Sequence, residues 1–301
     1  MSHTIKNVAL VGGSGNVGTR VLSALLDLKF NVTVLTRSPK PFPAAARVKV
    51  VDFTSIQSLS AALAGQDAVI DTTFSPDIET PLRLIDAAAE SGVYRFITSD
   101  FGLDPDLPGV HDLPVFGRKK ASYEAVKKHA AQNRLTYTLV ACGAFLDWSL
   151  ASGFSGLNFQ GKKASIFGDG DNVVPWTVLE DVGTAAANVL LHPEETVNRP
   201  VYVHSVFMSQ NQVLGATKEV LGGEGWEISY NDMESLLETA LADLKSGNIS
   251  AATFEVQIQY CLATRKLAHP WARDDNSLLG LEEWDLEKVK TLIRTIANQA
   301  V

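Results

Sequence analysis

An α/β fold built on a doubly wound parallel sheet is predicted by three features of the chain. Short β-rich runs alternate with helical patterns through the first half, a glycine loop joins the first run to the first helix, and the composition is that of an ordinary globular protein. With 301 residues, 46% of them hydrophobic, the chain can bury a large core as one unit or two interleaved lobes. Strands are expected at 7–12, 31–37, 48–52, 68–73, 94–99 and 137–142, each rich in Val, Ile, Thr or Tyr. Helices are expected near 17–29, 55–64, 79–91 and 115–132; in the third, Leu82, Ile85 and Ala89 recur at helical spacing. The alternation stops after Cys142. A glycine-rich stretch follows from Gly153 to Gly170, then a helix near 179–191. Further on, 202–205 and 226–231 have the pattern of strands, and 209–221, 232–246, 249–265 and 282–299 that of helices. The helix at 232–246 gathers Met233, Leu236, Leu237, Ala240, Leu241 and Leu244 on one face for packing, and its other face is acidic, which argues against lipid binding.

Charge and cysteine content narrow the function classes. The formal net charge is -8, and Lys and Arg form nothing larger than pairs such as Lys119–Lys120 and Lys127–Lys128, so nucleic acid is not an expected partner. Cys142 and Cys261 lie in apolar stretches, which favours neither a disulfide framework nor a thiolate metal site. No apolar run is long enough to span a membrane, and the first strand begins within a few residues of Met1. A cytoplasmic protein without a metal is the expectation.

The loop Gly12-Gly13-Ser14-Gly15-Asn16-Val17-Gly18 carries GxxGxxG between a strand and a helix, the context in which such a pattern has a mechanism. Gly12 allows the tight turn, Gly15 the approach of a pyrophosphate, and Gly18 the packing of helix on strand, while the amides of the helix N-terminus attract phosphate. The alternative is a tight turn without a ligand. Thr36, Arg37 and Ser38 end the second strand, where a carboxylate would select a free ribose and a guanidinium a 2′-phosphate; Arg37, with Lys40 nearby, favours NADP(H). Asp52 ends the third strand and either meets the adenine or caps the next helix.

In such a sheet the ligand lies beyond the carboxyl ends of the strands. The segments there are Thr73-Phe74-Ser75, Ser99-Asp100-Phe101-Gly102 and Cys142-Gly143-Ala144-Phe145, with Phe74 and Phe101 as either pocket walls or core residues. The helix at 115–132 bears Arg118, Lys119, Lys120, Tyr123, Glu124 and Lys127. Two proton donors compete on it. Tyr123 and Lys127 spell YxxxK, in which a lysine one turn on lowers the pKa of a tyrosine; Lys119 alone stands nearer the helix start and the ligand edge. The remaining cations have the pattern of a solvated basic face.

GGSGNVG, Thr36-Arg37, TSDFG at 98–102, FGRK at 116–119, YTLV at 137–140, GAFLDW at 143–148 and GDGDNVVPWTVLEDVG at 168–183 resemble the NmrA-like and isoflavone-reductase-like proteins, in particular their fungal CipA-like branch. These are atypical short-chain dehydrogenase/reductases. The resemblance covers about the first 190 residues and implies a Rossmann-type NADP-binding domain with a smaller C-terminal α/β lobe that closes a substrate cleft. Residues 1–150, with 179–205 returning to them, would form the first, and 151–178 with 206–301 the second. It also implies that Lys119, three residues after Phe116, is the catalytic group and holds the ribose. The stretch from Lys119 to Tyr137 is longer than in the plant reductases, and a gapless count back from Tyr137 places Tyr123 at that position.

The expected activity is NADPH-dependent reduction, of a small aromatic or polyketide-like enone or ketone as the resemblance implies, with Thr73, Phe74, Ser99, Gly143 and Phe145 beside the cofactor and Phe101, Trp148, Trp176 and Trp271 around the substrate; each tryptophan has a place in the core as its alternative. A small molecule is the expected partner, and homodimer formation is left open. The rival reading is an NADP(H)-binding redox sensor without turnover.

Overall fold

The computed structural model describes residues 4–74 and 77–299. Ser75, named above beside Thr73 and Phe74, lies outside them. Val8, Ala9, Leu10 and Val11 make strand β1 (Asn7–Val11) buried on both faces, as a central parallel strand must be when helices cover both sides of its sheet. The chain turns at the glycine loop into α1 (Asn16–Asp27) and returns as β2 (Asn31–Thr36), then β3 (Arg47–Val50). α2 (Ile56–Leu63) leads to β4 (Ala68–Asp71), α3 (Glu79–Glu90) to β5 (Arg95–Ile97), and α4 (Gly117–Ala131) to β6 (Thr136–Ala141). After α6 (Leu179–Asn188), strand β11 (Arg199–Tyr202) closes the far edge. The seven strands are all parallel in the order β11-β6-β5-β4-β1-β2-β3. The order reverses between β1 and β4, which is where a ligand crevice opens.

Between β6 and α6, and again after β11, the chain builds a second core. Its elements are β7 (Ala144–Phe145), α5 (Leu146–Ser152), β8 (Leu157–Asn158), β9 (Lys163–Phe167) and β10 (Val174–Thr177), then β12 (Val206–Met208), α7 (Gln210–Leu221), β13 (Glu227–Asn231), α8 (Met233–Ser246), α9 (Ala251–Ala263) and α10 (Leu286–Gln299). They form two small sheets, β12-β10-β7 and β13-β9-β8. Leu103, Val110 and Phe116, from the loop between β5 and α4, pack into this core with Leu146, Trp176 and Ile293. The loop therefore spans both cores. α6 lies on α1, with Val182, Ala185 and Ala186 against Val21, Leu22 and Leu25. Gly183 permits that approach, since a Cβ there would come within 2.6 Å of the Arg20 backbone. No helix among the described residues is long and apolar enough to cross a membrane.

At the amino end of the main sheet, Arg95 is wholly buried yet meets no carboxylate among the described residues. Its guanidinium donates to the hydroxyls of Thr136, Thr138 and Thr196 and to the Pro193 carbonyl, tying β5, β6 and the turn before β11 together. Between β11 and β12, His204 is buried with neither ring nitrogen hydrogen-bonded and its ring stacked 3.9 Å from that of Phe207. Burial holds His204 below the usual histidine value, opposed by Asp274 and Glu283. Burial likewise lowers His111, against the pull of Asp100. An unfolded histidine takes a proton near pH 6.5 while these two resist it, so the unfolded chain binds more protons in that range. Stability conferred by the two neutral rings is present above about pH 6.5 and declines as pH falls through it. Thermal melts from pH 8 to pH 5.5 should show this decline, and His204→Leu should flatten it; a variant with the wild-type slope would remove His204 from the account.

Candidate cofactor and active site

Gly12 turns the chain out of β1 with φ +83°, and the Gly15 amide donates to its carbonyl. A Cβ on Gly18 would lie 2.1 Å from that same carbonyl oxygen, so only glycine lets the first turn of α1 sit against the loop. Ser14, Gly15 and Asn16 are exposed, Val17 is half-buried, Gly13 is buried beside Val34 and Leu10, and no side chain caps α1. This contrasts with α2 and α7, which Ser55 and Ser209 cap. The exposed amide end is therefore left for an anion. Arg37 and Ser38 are exposed at the end of β2, and Lys40 donates to the Ser14 hydroxyl at 3.2 Å. Lys40, beyond the β2 end, thus reaches the glycine loop. Asp52 does not cap α2: its carboxylate accepts from the Thr54 amide and hydroxyl, which hold it below the usual carboxylate range.

Across the switch point, a Cβ on Gly12 would meet Thr72 at 2.8 Å, so β1 and β4 leave no room for larger residues there. Thr73 donates through its amide and hydroxyl to Asp71, and its carbonyl accepts from Ser99 and Arg118. Arg118 also meets the Asp71 carboxylate at 3.1 Å. The basic-face reading fails for Arg118, which is only partly exposed at the carboxyl edge and organises the ends of β4 and β5. Phe74 is 90% exposed, so its core alternative is excluded.

α4 begins at the carboxyl edge and runs back along the sheet, which places its first turn at the crevice. Lys119 Nζ donates to the Phe101 carbonyl at 3.1 Å and lies 3.7 Å from Asp100 Oδ1. Gly102 makes the space, since a Cβ there would be 2.8 Å from that nitrogen. Lys127 is exposed and stands eight residues further along the helix, about 12 Å from the edge-facing turn at 1.5 Å per residue. Tyr123 is buried, donates to Asp106 at 2.8 Å, and is raised well above the usual tyrosine value by burial and by that carboxylate. A proton donor in YxxxK needs the opposite shift. Of the two candidates, geometry favours Lys119.

The aromatic set divides. Phe101 is buried in the main core beside Val140 and Cys142, and Phe145 packs against the same cluster. Trp148 is half-buried against Phe154, with ring centroids 5.5 Å apart. Trp271 lies against Tyr202, its ring N–H on the Val203 carbonyl. Trp176 is a correction: it is 3% exposed, donates to the Met208 carbonyl, and belongs to the second core because β10 is buried on both faces. Gly143, also named above as a cofactor contact, is buried and packs against β10; a Cβ on it would lie 2.0 Å from the Pro175 carbonyl. A groove of about 730 Å³ lies between the β13-β9-β8 sheet and α8 and contains none of the residues named for the site. Among the described residues no group of three or more His, Cys, Asp or Glu is placed to hold a metal.

Residues 4–246 match the model of the NmrA-like family. The oxidoreductase poxI of Penicillium oxalicum is 31% identical over 291 residues, covering 92% of this chain and 90% of that protein. The crystal structure of isoflavone reductase superposes with a TM-score of 0.75 at 20% identity, over 99% of this chain and 100% of the other. That of AtPrR2 with NADP+ and (+)pinoresinol does so with a TM-score of 0.71 at 20% identity, over 98% and 100%. The glycine loop, the lysine at the carboxyl edge and these matches agree: the chain belongs to the NmrA-like family and is an oxidoreductase with the isoflavone-reductase-like fold.

Proposed function

We propose that the chain is an NADPH-dependent reductase of a small aromatic or polyketide-like enone or ketone, with Lys119 as its proton donor. The observation that carries this is the Lys119 ammonium at the carboxyl edge, on the first turn of α4 and tethered to Phe101 and Asp100. The loop fits a dinucleotide, because Gly12 and Gly18 let the turn and α1 pack closely, Gly15 is exposed and without a side chain where a pyrophosphate would approach, and the first turn of α1 has no side-chain cap. Arg37, Ser38 and Lys40 would take the 2′-phosphate, Asp52 would stand near the adenine, and Thr73, Phe74, Ser99 and Phe145 would stand along the nicotinamide half. When bound, NADPH supplies a hydride for a conjugated or carbonyl carbon. Lys119 holds a proton at Nζ for the oxygen or carbon that gains negative charge, and is reprotonated from solvent. Trp148 and Trp271, half-buried, would line the substrate side. In this reading the main sheet carries the cofactor and the second core closes over the substrate.

Arg37→Asp tests the cofactor assignment. It should weaken NADPH about 10- to 100-fold, the loss of one to two charge-assisted contacts, and leave NADH little changed or improved. Equal losses for both cofactors, measured by fluorescence titration, would remove Arg37 from the 2′-phosphate site.

A further inference from the structure

The proton donor has a neighbour whose placement needs explaining. Asp100, 2% exposed, follows β5. Its Oδ1 lies 3.7 Å from Lys119 Nζ, and its Oδ2, 3.9 Å from His111 Nε2, has no hydrogen-bond partner among the described residues. A carboxylate so buried is costly unless a cation offsets it. The charged and titratable groups around it come from four places. α4 brings Arg118, Lys119 and Lys120, the preceding loop His111 and Asp106, β4 Asp71, and the residue after β6 Cys142. Most are already engaged. Arg118 pairs with Asp71, Lys120 with Asp112, and Asp106 takes the Tyr123 hydroxyl. Burial pushes the Cys142 thiol up to about 12, so it stays neutral. Burial also raises the Asp100 carboxyl, with Lys119 the first opposing influence and His111 the second.

We infer that Asp100 is the positioning residue of this site: its carboxylate fixes the charge and the aim of the Lys119 ammonium, while His111 shields the far oxygen from water. Two tethers on consecutive residues, the Asp100 carboxylate and the Phe101 carbonyl, hold Nζ over Gly102. The His111 side chain, 14% exposed, stands on the other side of the carboxylate. The kinetic part of this inference rests on the reductase reading, whereas the charge coupling between Asp100 and Lys119 does not.

The two are separated by measuring Lys119 directly. Acetylation of the full chain by acetic anhydride at one fixed pH, followed by mass spectrometry, reports the labelling rate of Lys119 relative to Lys127, the reference on the same helix. Asp100→Asn should raise that ratio about 10-fold or more, the scale of losing an opposite charge at this range. Asp100→Glu should restore it. Asp100→Ser, a second neutral replacement, should repeat the rise and serves if the Asn variant does not fold. With an accepted substrate, kcat should fall in the neutral variants while KM for NADPH stays within about twofold, the pattern of an interaction made beyond ground-state binding. A Lys119-to-Lys127 labelling ratio unchanged in the neutral variants would overturn the positioning role. Absence of turnover by the wild type on any carbonyl or enone would overturn the reductase reading and leave the labelling result standing.

Discussion

Lys119→Ala should keep NADPH binding within about tenfold and lose about 10²- to 10⁴-fold in turnover, the usual contribution of a positioned acid or base. The asymmetry follows from where the residue sits. In the proposed reading the glycine loop, Arg37 and Lys40 would hold the anionic half of the cofactor at the β1 and β2 ends, whereas Lys119 stands on α4 on the other side of the switch point. Removing its ammonium leaves the phosphate contacts intact and takes away the proton that a reduced carbonyl or enolate needs. Tyr123→Phe provides the matching control. Its hydroxyl serves Asp106, so the change should cost stability of the loop between β5 and α4 and at most severalfold in turnover. Stopped-flow measurement of NADPH oxidation, with cofactor binding measured on the same preparations, distinguishes the outcomes. A Lys119→Ala enzyme as active as wild type, or a Tyr123→Phe enzyme that is dead, would move the proton donor elsewhere.

The largest expected effect on stability comes from the opposite end of the sheet. Arg95→Ala should destabilise by more than about 4 kcal/mol, because it leaves three threonine hydroxyls and a carbonyl without their donor and opens a cavity among wholly buried residues. Arg95→Lys should recover little of this. A guanidinium reaches four acceptors in one plane with no carboxylate to neutralise it, whereas an ammonium carries three donors in another arrangement. Urea unfolding checks both: the midpoint falls while the slope stays constant. A lysine variant within 0.5 kcal/mol, about the scatter of a surface change, would contradict the reading of Arg95 as the clamp on β5, β6 and the turn before β11.

The main sheet was legible because its central strands are continuous runs of Val, Ile, Leu and Ala with glycine or polar residues at their ends. In the second core the helices α7 to α10 and strand β13 were legible too, but several short elements were not. β9 and β8 lie in the glycine-rich stretch from Gly153 to Gly170, where the glycines that made it look irregular are the turns between short strands. α5 is seven residues long and starts directly after β7, too short for a period to show. The strand expected at 202–205 lies instead at Arg199–Tyr202 and contains Pro200, which an edge strand of the sheet tolerates. In the site, the glycine loop stood out through spacing and context, and Lys119 through its place near the helix start and the family resemblance of FGRK. Arg118 could not be told from its basic neighbours, because the carboxylate that pairs with it, Asp71, is far away in sequence. His111 lies in a loop without a pattern, and its approach to Asp100 depends on how that loop folds between the two cores. Trp176 takes the core position open to each tryptophan, because β10 is buried on both faces, which a single aromatic residue in the sequence does not reveal.

The central claim is that this chain reduces a small carbonyl or enone with a hydride from NADPH. Wild type and Lys119→Ala should be incubated with a panel of aromatic enones and ketones and with NADPH deuterated on one or the other face of C4. The account predicts that one of the two labelled cofactors gives a wild-type product heavier by one deuterium, and that Lys119→Ala gives almost none. Saturable NADPH binding with no deuterium in any product from either cofactor would contradict it and identify a chain that senses NADP(H) without turning it over.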